Sequence, residues 1–223
     1  MKNITKLLLV VLVSLLSANS NAQIFRIISG LNLSNMLIKN DLDTYSDDFK
    51  MNPGFHIGGT IEFPLSNRLS LGTGLLIDTK GFIVKEEGQD WYQKEKLNLY
   101  YLDIPIVLKV LHDFESGIKV YGVVGPYFGV GLVGKIKNEQ EYQGQKDSDK
   151  EDVEWGNDEY EDFFKRFDSG LTFGGGLEIK AILIGISYDL GLYNISPYSS
   201  ANGFKMNNRV LRFSIGYRLG NTN

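Results

Sequence analysis

Few side chains in this sequence are equipped for chemistry. Its 223 residues include two histidines and no cysteine, which excludes thiolate nucleophiles, thiolate metal sites and disulfide frameworks together. His56 shares one face of alternating segments with Asp78 and Asp189, and an imidazole among carboxylates could act as a general base for hydrolysis or acyl transfer. Neither G-x-S-x-G nor H-E-x-x-H accompanies it. The competing reading is a histidine hydrogen-bonded within a polar interior. His112 falls in a short solvated link. The run Asp147-Ser148-Asp149-Lys150-Glu151-Asp152 opens like a calcium loop but lacks the glycine at position six and the glutamate at position twelve. Closely spaced glycines at 122–134 and 170–176 are followed by no helix, so they do not read as phosphate loops. No cofactor and no metal are implied.

What could position these side chains is a set of strands. In the segment 55–63, Phe55, Ile57, Gly59, Ile61 and Phe63 alternate with His56, Gly58, Thr60 and Glu62. Such a period of two is a strand signal that no helix produces. The same test gives strands over 25–34, 69–82, 98–110, 117–132, 171–180, 182–193 and 211–219, eight in all. The joints alternate in length. Long ones fall at 35–52, 84–95, 135–167 and 194–208, and short ones at 64–67, 111–116 and 180–181. Long loops at one end and tight turns at the other describe an antiparallel up-and-down β-barrel of the outer-membrane type.

The two strand faces differ. One is apolar, with Ile104, Ile106, Leu108, Val124, Phe128, Ile184 and Ile186. The other carries small residues and twelve charges: Arg26, Glu62, Asp78, Lys80, Asp103, Lys109, Lys119, Glu178, Lys180, Asp189, Arg212 and Arg218. Five acids against seven bases suit a lumen of mutual ion pairs, and an eight-stranded barrel is just wide enough for side chains to fill. A soluble exported barrel carrying an apolar ligand would invert the two faces.

Composition constrains partners. A net charge of −4 lacks the basic footprint of a nucleic-acid binder. Nineteen of the 27 acids lie in the joints 35–52, 84–95 and 135–167. These acidic loops are either solvated surface or a site for cations or a basic envelope or surface protein. The aromatics Trp91, Tyr92, Trp155, Tyr160, Phe163 and Phe164 could contact such a partner or pin the loops over the barrel mouth. Residues 1–22 have the order of a cleaved export signal: two lysines, the apolar run LLLVVLVSLL, then small residues ending at Ala22. Residues 23–223 then form a single barrel domain in contact with outer-membrane lipid.

Several stretches, in order, resemble the small outer-membrane β-barrel family of Bacteroidetes-type bacteria that includes the PorT proteins. They are GLNLSN (30–35), PGFHIGG (53–59), LSLGTGLL (69–76), NLYYLDIPIVLK (98–109), YGVVGPYFGVGL (121–132), SYDLGLYNI (187–195) and RFSIGYRL (212–219). The resemblance implies an outer-membrane barrel, the property the family shares, most of whose members have no defined activity. The function expected of such a narrow, filled barrel is non-enzymatic, in surface interaction or as an accessory of outer-membrane transport or secretion. An outer-membrane-embedded hydrolase or acyltransferase around His56 is the alternative. One departure from outer-membrane barrels stands at the end: Leu219 is followed by Gly-Asn-Thr-Asn where such chains commonly finish on an aromatic.

Overall fold

The alternation expected from the sequence closes into a ring. In the computed structural model, residues 23–46, 49–114, 117–198 and 203–219 are described; the expected export signal, 1–22, lies outside them. The strands are β1 (Ile24–Lys39), β2 (Lys50–Pro64), β3 (Leu69–Lys80), β4 (Phe82–Glu87), β5 (Trp91–Asp113), β6 (Ile118–Tyr142), β7 (Gln145–Asp152), β8 (Phe167–Ile179), β9 (Ile182–Gly191) and β10 (Lys205–Leu219). All pairings are antiparallel, and β10 pairs with β1 from Phe25↔Leu219 to Lys39↔Lys205. Eight strands therefore form a closed wall in the order β1-β2-β3-β5-β6-β8-β9-β10. Closure removes the free edges that an open sheet would expose.

The two additional strands come from segments expected as loops. Gly81, at φ +131°, ends β3, and an added Cβ would meet the Leu97 carbonyl. The expected strand 69–82 thus splits, and β4 restarts beyond the kink beside β5. In the segment 135–167, β6 runs on to Tyr142, turns through Gln143 (φ 49°) and Gly144 (φ 82°), and returns as β7. Two successive positive φ values in a two-residue loop are the hairpin turn whose twist matches the flanking strands. The four expected loops are corrected accordingly. Strand structure takes 35–39 and 50–52 of the first, 84–87 and 91–95 of the second, 135–142 and 145–152 of the third, and 205–208 of the fourth. These stretches lack an apolar alternation because the strands there leave the lipid-facing wall, with water rather than hydrocarbon outside.

The outer surface is apolar. Phe25, Ile27 and Leu31 of β1, Ile104, Ile106, Leu108 and Val110 of β5, and Phe213, Ile215 and Tyr217 of β10 all point out and are exposed. On β5 the band runs from Val110 to Tyr100, ten steps along the strand, which at about 3.4 Å per step and the usual 35–45° tilt gives a height of roughly 25 Å. That matches a bilayer core, and an exposed apolar belt of this extent is a lipid contact. The inverted arrangement needed by a soluble carrier, with the apolar face inside, is not what the chain adopts. Among the described residues no helix is long and apolar enough to cross a membrane; the strands do the crossing.

Candidate functional site

The barrel interior is built in layers from inward-facing positions of every wall strand. Nearest the short turns, Arg26, Glu62, Lys109 and Glu178 form a closed square of ion pairs. Arg26 Nη2 lies 2.9 Å from Glu178 Oε1, and Lys109 Nζ lies 2.8 Å from Glu62 Oε1. Lys109 Nζ also sits 4.6 Å over the Tyr121 ring. Two cations meet two carboxylates from four different strands, so the layer ties opposite walls together. Away from water each charge keeps its full attraction for its partner, and each would be costly if left alone.

Above this square is a cavity of about 130 Å³, lined among others by Ile28, His56, Glu62, Lys109, Arg212 and Ser214. A polar relay borders it. Asn32 Nδ2 donates to Asp78, which turns Asn32 Oδ1 toward His56 Nδ1 at 2.7 Å. An amide oxygen only accepts, so Nδ1 carries the proton and Nε2 is left to accept from the Ser214 hydroxyl, 3.0 Å away. Serine, imidazole and an orienting amide stand in the order of a nucleophile, base and positioner. A hydrolase would also need donors for an oxyanion. The backbone groups of Asn32, His56 and Ser214 lie in the paired strands β1, β2 and β10, and His56 is 1% exposed.

The second charged layer lies nearer the long-loop end. Arg212 is held by Asp78, Asp103 and Asp189 together. Lys80 Nζ is 3.0 Å from Asp103 Oδ2 and 2.9 Å from Asp168 Oδ2, and lies between the rings of Tyr101 and Tyr127 at 4.5 and 4.6 Å. The Tyr127 hydroxyl and Asn208 Nδ2 both donate to Asp168, and Thr172 donates to Asp189. The carboxylates of Asp78, Asp103 and Asp189 converge closely enough to ligate a cation, but the Arg212 guanidinium already bridges them.

Over this layer the interior turns apolar. Met36, Ile38, Leu97, Leu99, Val153 and Phe164 form a buried cluster, with Ile195 added from the β9–β10 connection. The segment 153–166 folds back across the mouth: Val153 N donates to Gly134 O, and Gly131 N donates to Arg166 O. Trp155 lies against Gly131, where a Cβ would strike its ring, and packs edge-on to Tyr101 at 5.6 Å. Of the loop aromatics, Trp155, Phe163 and Phe164 join this cap, whereas Trp91 and Tyr160 are exposed.

Nine of the twelve expected lumen charges are buried in these two layers: Arg26, Glu62, Asp78, Lys80, Asp103, Lys109, Glu178, Asp189 and Arg212. Lys119 is not among them. It is exposed near the short-turn end and pairs with exposed Asp113. Lys180 adopts φ +55° in the turn after β8, which takes it off the strand alternation and into solvent. Arg218 is half-buried at the rim and donates to the Lys180 carbonyl at 3.2 Å. Asp168 belongs to the upper layer but falls between the expected loop, 135–167, and the expected strand, 171–180. Extending the alternation back from Thr172 through Gly170 would have found it. Asn32, Asn208 and Ser214 carry no charge, and only their inward parity marks them.

The family described as outer membrane protein beta-barrel domain matches residues 22–196. No curated protein matches the chain. Among solved structures, the outer membrane protein OprG of Pseudomonas aeruginosa is 14% identical, with a TM-score of 0.45 over 90% of this chain and 97% of that one. Ail, the attachment invasion locus protein of Yersinia pestis, is 16% identical, with a TM-score of 0.36 over 89% and 99%. Neisserial surface protein A is 11% identical, with a TM-score of 0.41 over 87% and 96%.

Proposed function

We propose, for a chain that belongs to the outer membrane protein β-barrel domain family, a non-enzymatic role in which the barrel is an anchor and the parts beyond the membrane do the work. The observation that carries this reading is the filled lumen. Two ion-pair layers and an apolar cap succeed one another along the axis, and the cavity between them is about 130 Å³, room for a few waters. Such a barrel conducts no solute. What remains available to partners is the ribbon of β4, β5, β6 and β7, which stands above the lipid band with β7 fully exposed. A surface-interaction protein, or an accessory of outer-membrane transport or secretion, fits that division. The PorT-like resemblance and an export signal at 1–22 are consistent with it.

The protein reconstituted in a planar bilayer is expected to show no steady channel; a stable large conductance would overturn the sealed-lumen reading. The Ser214–His56–Asn32 relay gives the hydrolase alternative its one observation. A fluorophosphonate probe decides between them. Failure to label the folded protein is the expected result, and labelling that disappears in Ser214→Ala would make the relay an active site.

A further inference from the structure

The ribbon above the membrane is electrically two-faced. Leu97 and Ile136 pack into the cap, which fixes the parity of the mouth-facing side. That side carries Glu86, Glu95, Asp147, Asp149 and Glu151, and no lysine. The opposite side continues the lipid-facing wall and is where the lysines gather. There Lys85 stands directly across from Lys94, and Lys96 is opposite Lys137, which is opposite Lys150. On the neighbouring wall Lys39 is opposite Lys205.

Like charges directly opposite on antiparallel strands destabilise the pair. On this face the structure offsets part of that charge: Lys85 pairs with Glu87, Lys135 with Asp152 and Lys146 with Glu141, while Lys94 and Lys137, the middle lysine of the row, share the one carboxylate of Glu139. Among the described residues, no carboxylate pairs with Lys96, Lys150, Lys39 or Lys205. Strands about 4.8 Å apart set the Cα atoms of the Lys96–Lys137–Lys150 row within roughly 10 Å of one another. We propose that this outward lysine face binds the phosphate-bearing headgroups of the lipid surrounding the barrel in the outer leaflet.

Height supports that choice of ligand. On β6 Lys135 comes two residues after Val133, and on β5 Lys96 comes four before Tyr100, the last residues of the apolar band. With strand rise and tilt these lysines lie about 5 and 10 Å above the hydrocarbon, and the headgroup zone is itself about 5–7 Å deep on each side. The long lysine stems can lean along the wall to bring their ammonium groups to the phosphates. A soluble acidic partner would have no reason to meet lysines only on the lipid side, while the charges on the mouth-facing side of the same strands are all acidic.

The proposal rests on the membrane placement of the barrel, which the test reads separately. The full chain, refolded in a zwitterionic detergent, is titrated with bis-phosphorylated lipid A and with its dephosphorylated counterpart, and bound lipid is counted by native mass spectrometry. Wild type is expected to hold the phosphorylated lipid, and Lys96→Gln/Lys137→Gln/Lys150→Gln to hold it about 100-fold more weakly, at the usual contribution of each lysine near an anionic surface. The dephosphorylated lipid should bind wild type no better than the phosphorylated lipid binds the variant. Lys85→Gln/Lys94→Gln, on the same face, should weaken binding by a smaller factor. Equal binding by wild type and the triple variant, or equal binding of both lipids, overturns the proposal. Displacement by an equal concentration of inorganic phosphate would make the face a free-anion site and overturn it too. A boiling-sensitive gel shift retained in the variant shows that the barrel is intact. A wild type that stays soluble without detergent would fail the barrel reading and this one with it.

Discussion

Arg212 meets more carboxylates than any other interior cation. It touches three carboxylates, from β3, β5 and β9, and is almost wholly enclosed. Removing one partner of a buried ionic cluster leaves the others uncompensated at a cost of about 3–5 kcal/mol. Arg212→Met is therefore expected to lose about that much stability when urea unfolding is followed in lipid vesicles. Lys119→Met, at a residue paired only with an exposed aspartate, should stay within about 0.5 kcal/mol of wild type. Equal losses in the two variants would mean that the layers do not hold the walls together. The same contrast shows what the sequence could and could not reveal about single residues. Inward parity identified Arg212 and its partners, because a strand period of two leaves a mid-strand residue no other face. Lys119 and Lys180 share that parity but sit at strand ends, where solvent and a positive φ take over. Asp168 was missed for the opposite reason: its strand begins earlier than the apolar residues announce.

At the scale of elements, the wall strands were legible and the ribbon was not. In the wall, lipid on one side and packed polar side chains on the other impose a strict alternation, so 55–63 and 211–219 read directly as strands. In β7, QKDSDKED, every residue is exposed, and water on both faces imposes no pattern. Backbone pairing with β6 and a two-residue turn at Gln143-Gly144 build that strand instead. A similar account holds for the cap. Val153, Trp155, Phe163 and Phe164 lie in an acidic stretch without strand alternation, and only the closed ring shows that the segment can fold back over the mouth. Since β7 pairs with β6 alone, the outer part of the hairpin should be dispensable for the barrel. Replacing residues 138–149 with Asn-Gly, which joins Lys137 to Lys150 through a turn of the same length, is expected to keep the boiling-sensitive gel shift and change unfolding free energy by less than about 1 kcal/mol. Loss of the folded band would show that the ribbon takes part in forming the wall.

For the whole molecule, three solvents account for the arrangement. Hydrocarbon meets the apolar belt, a packed polar interior holds charges that pair with one another, and water meets the acidic side of the ribbon. Family membership places this architecture in the outer membrane, and the layered lumen separates the protein from open pores. The absence of cysteine allows the claim to be read site by site with single labels on an otherwise unreactive chain. The most direct measurement is spin-label accessibility in reconstituted vesicles at Ile106→Cys on the outer band, Thr60→Cys toward the lumen and Ser148→Cys on the ribbon. A label at residue 106 should collide with oxygen but not with a water-soluble nickel chelate, at residue 60 with neither freely, and at residue 148 with the nickel chelate. A label at residue 106 as open to the nickel chelate as one at residue 148 would put the apolar face in water and contradict a lipid-spanning barrel with a filled polar interior.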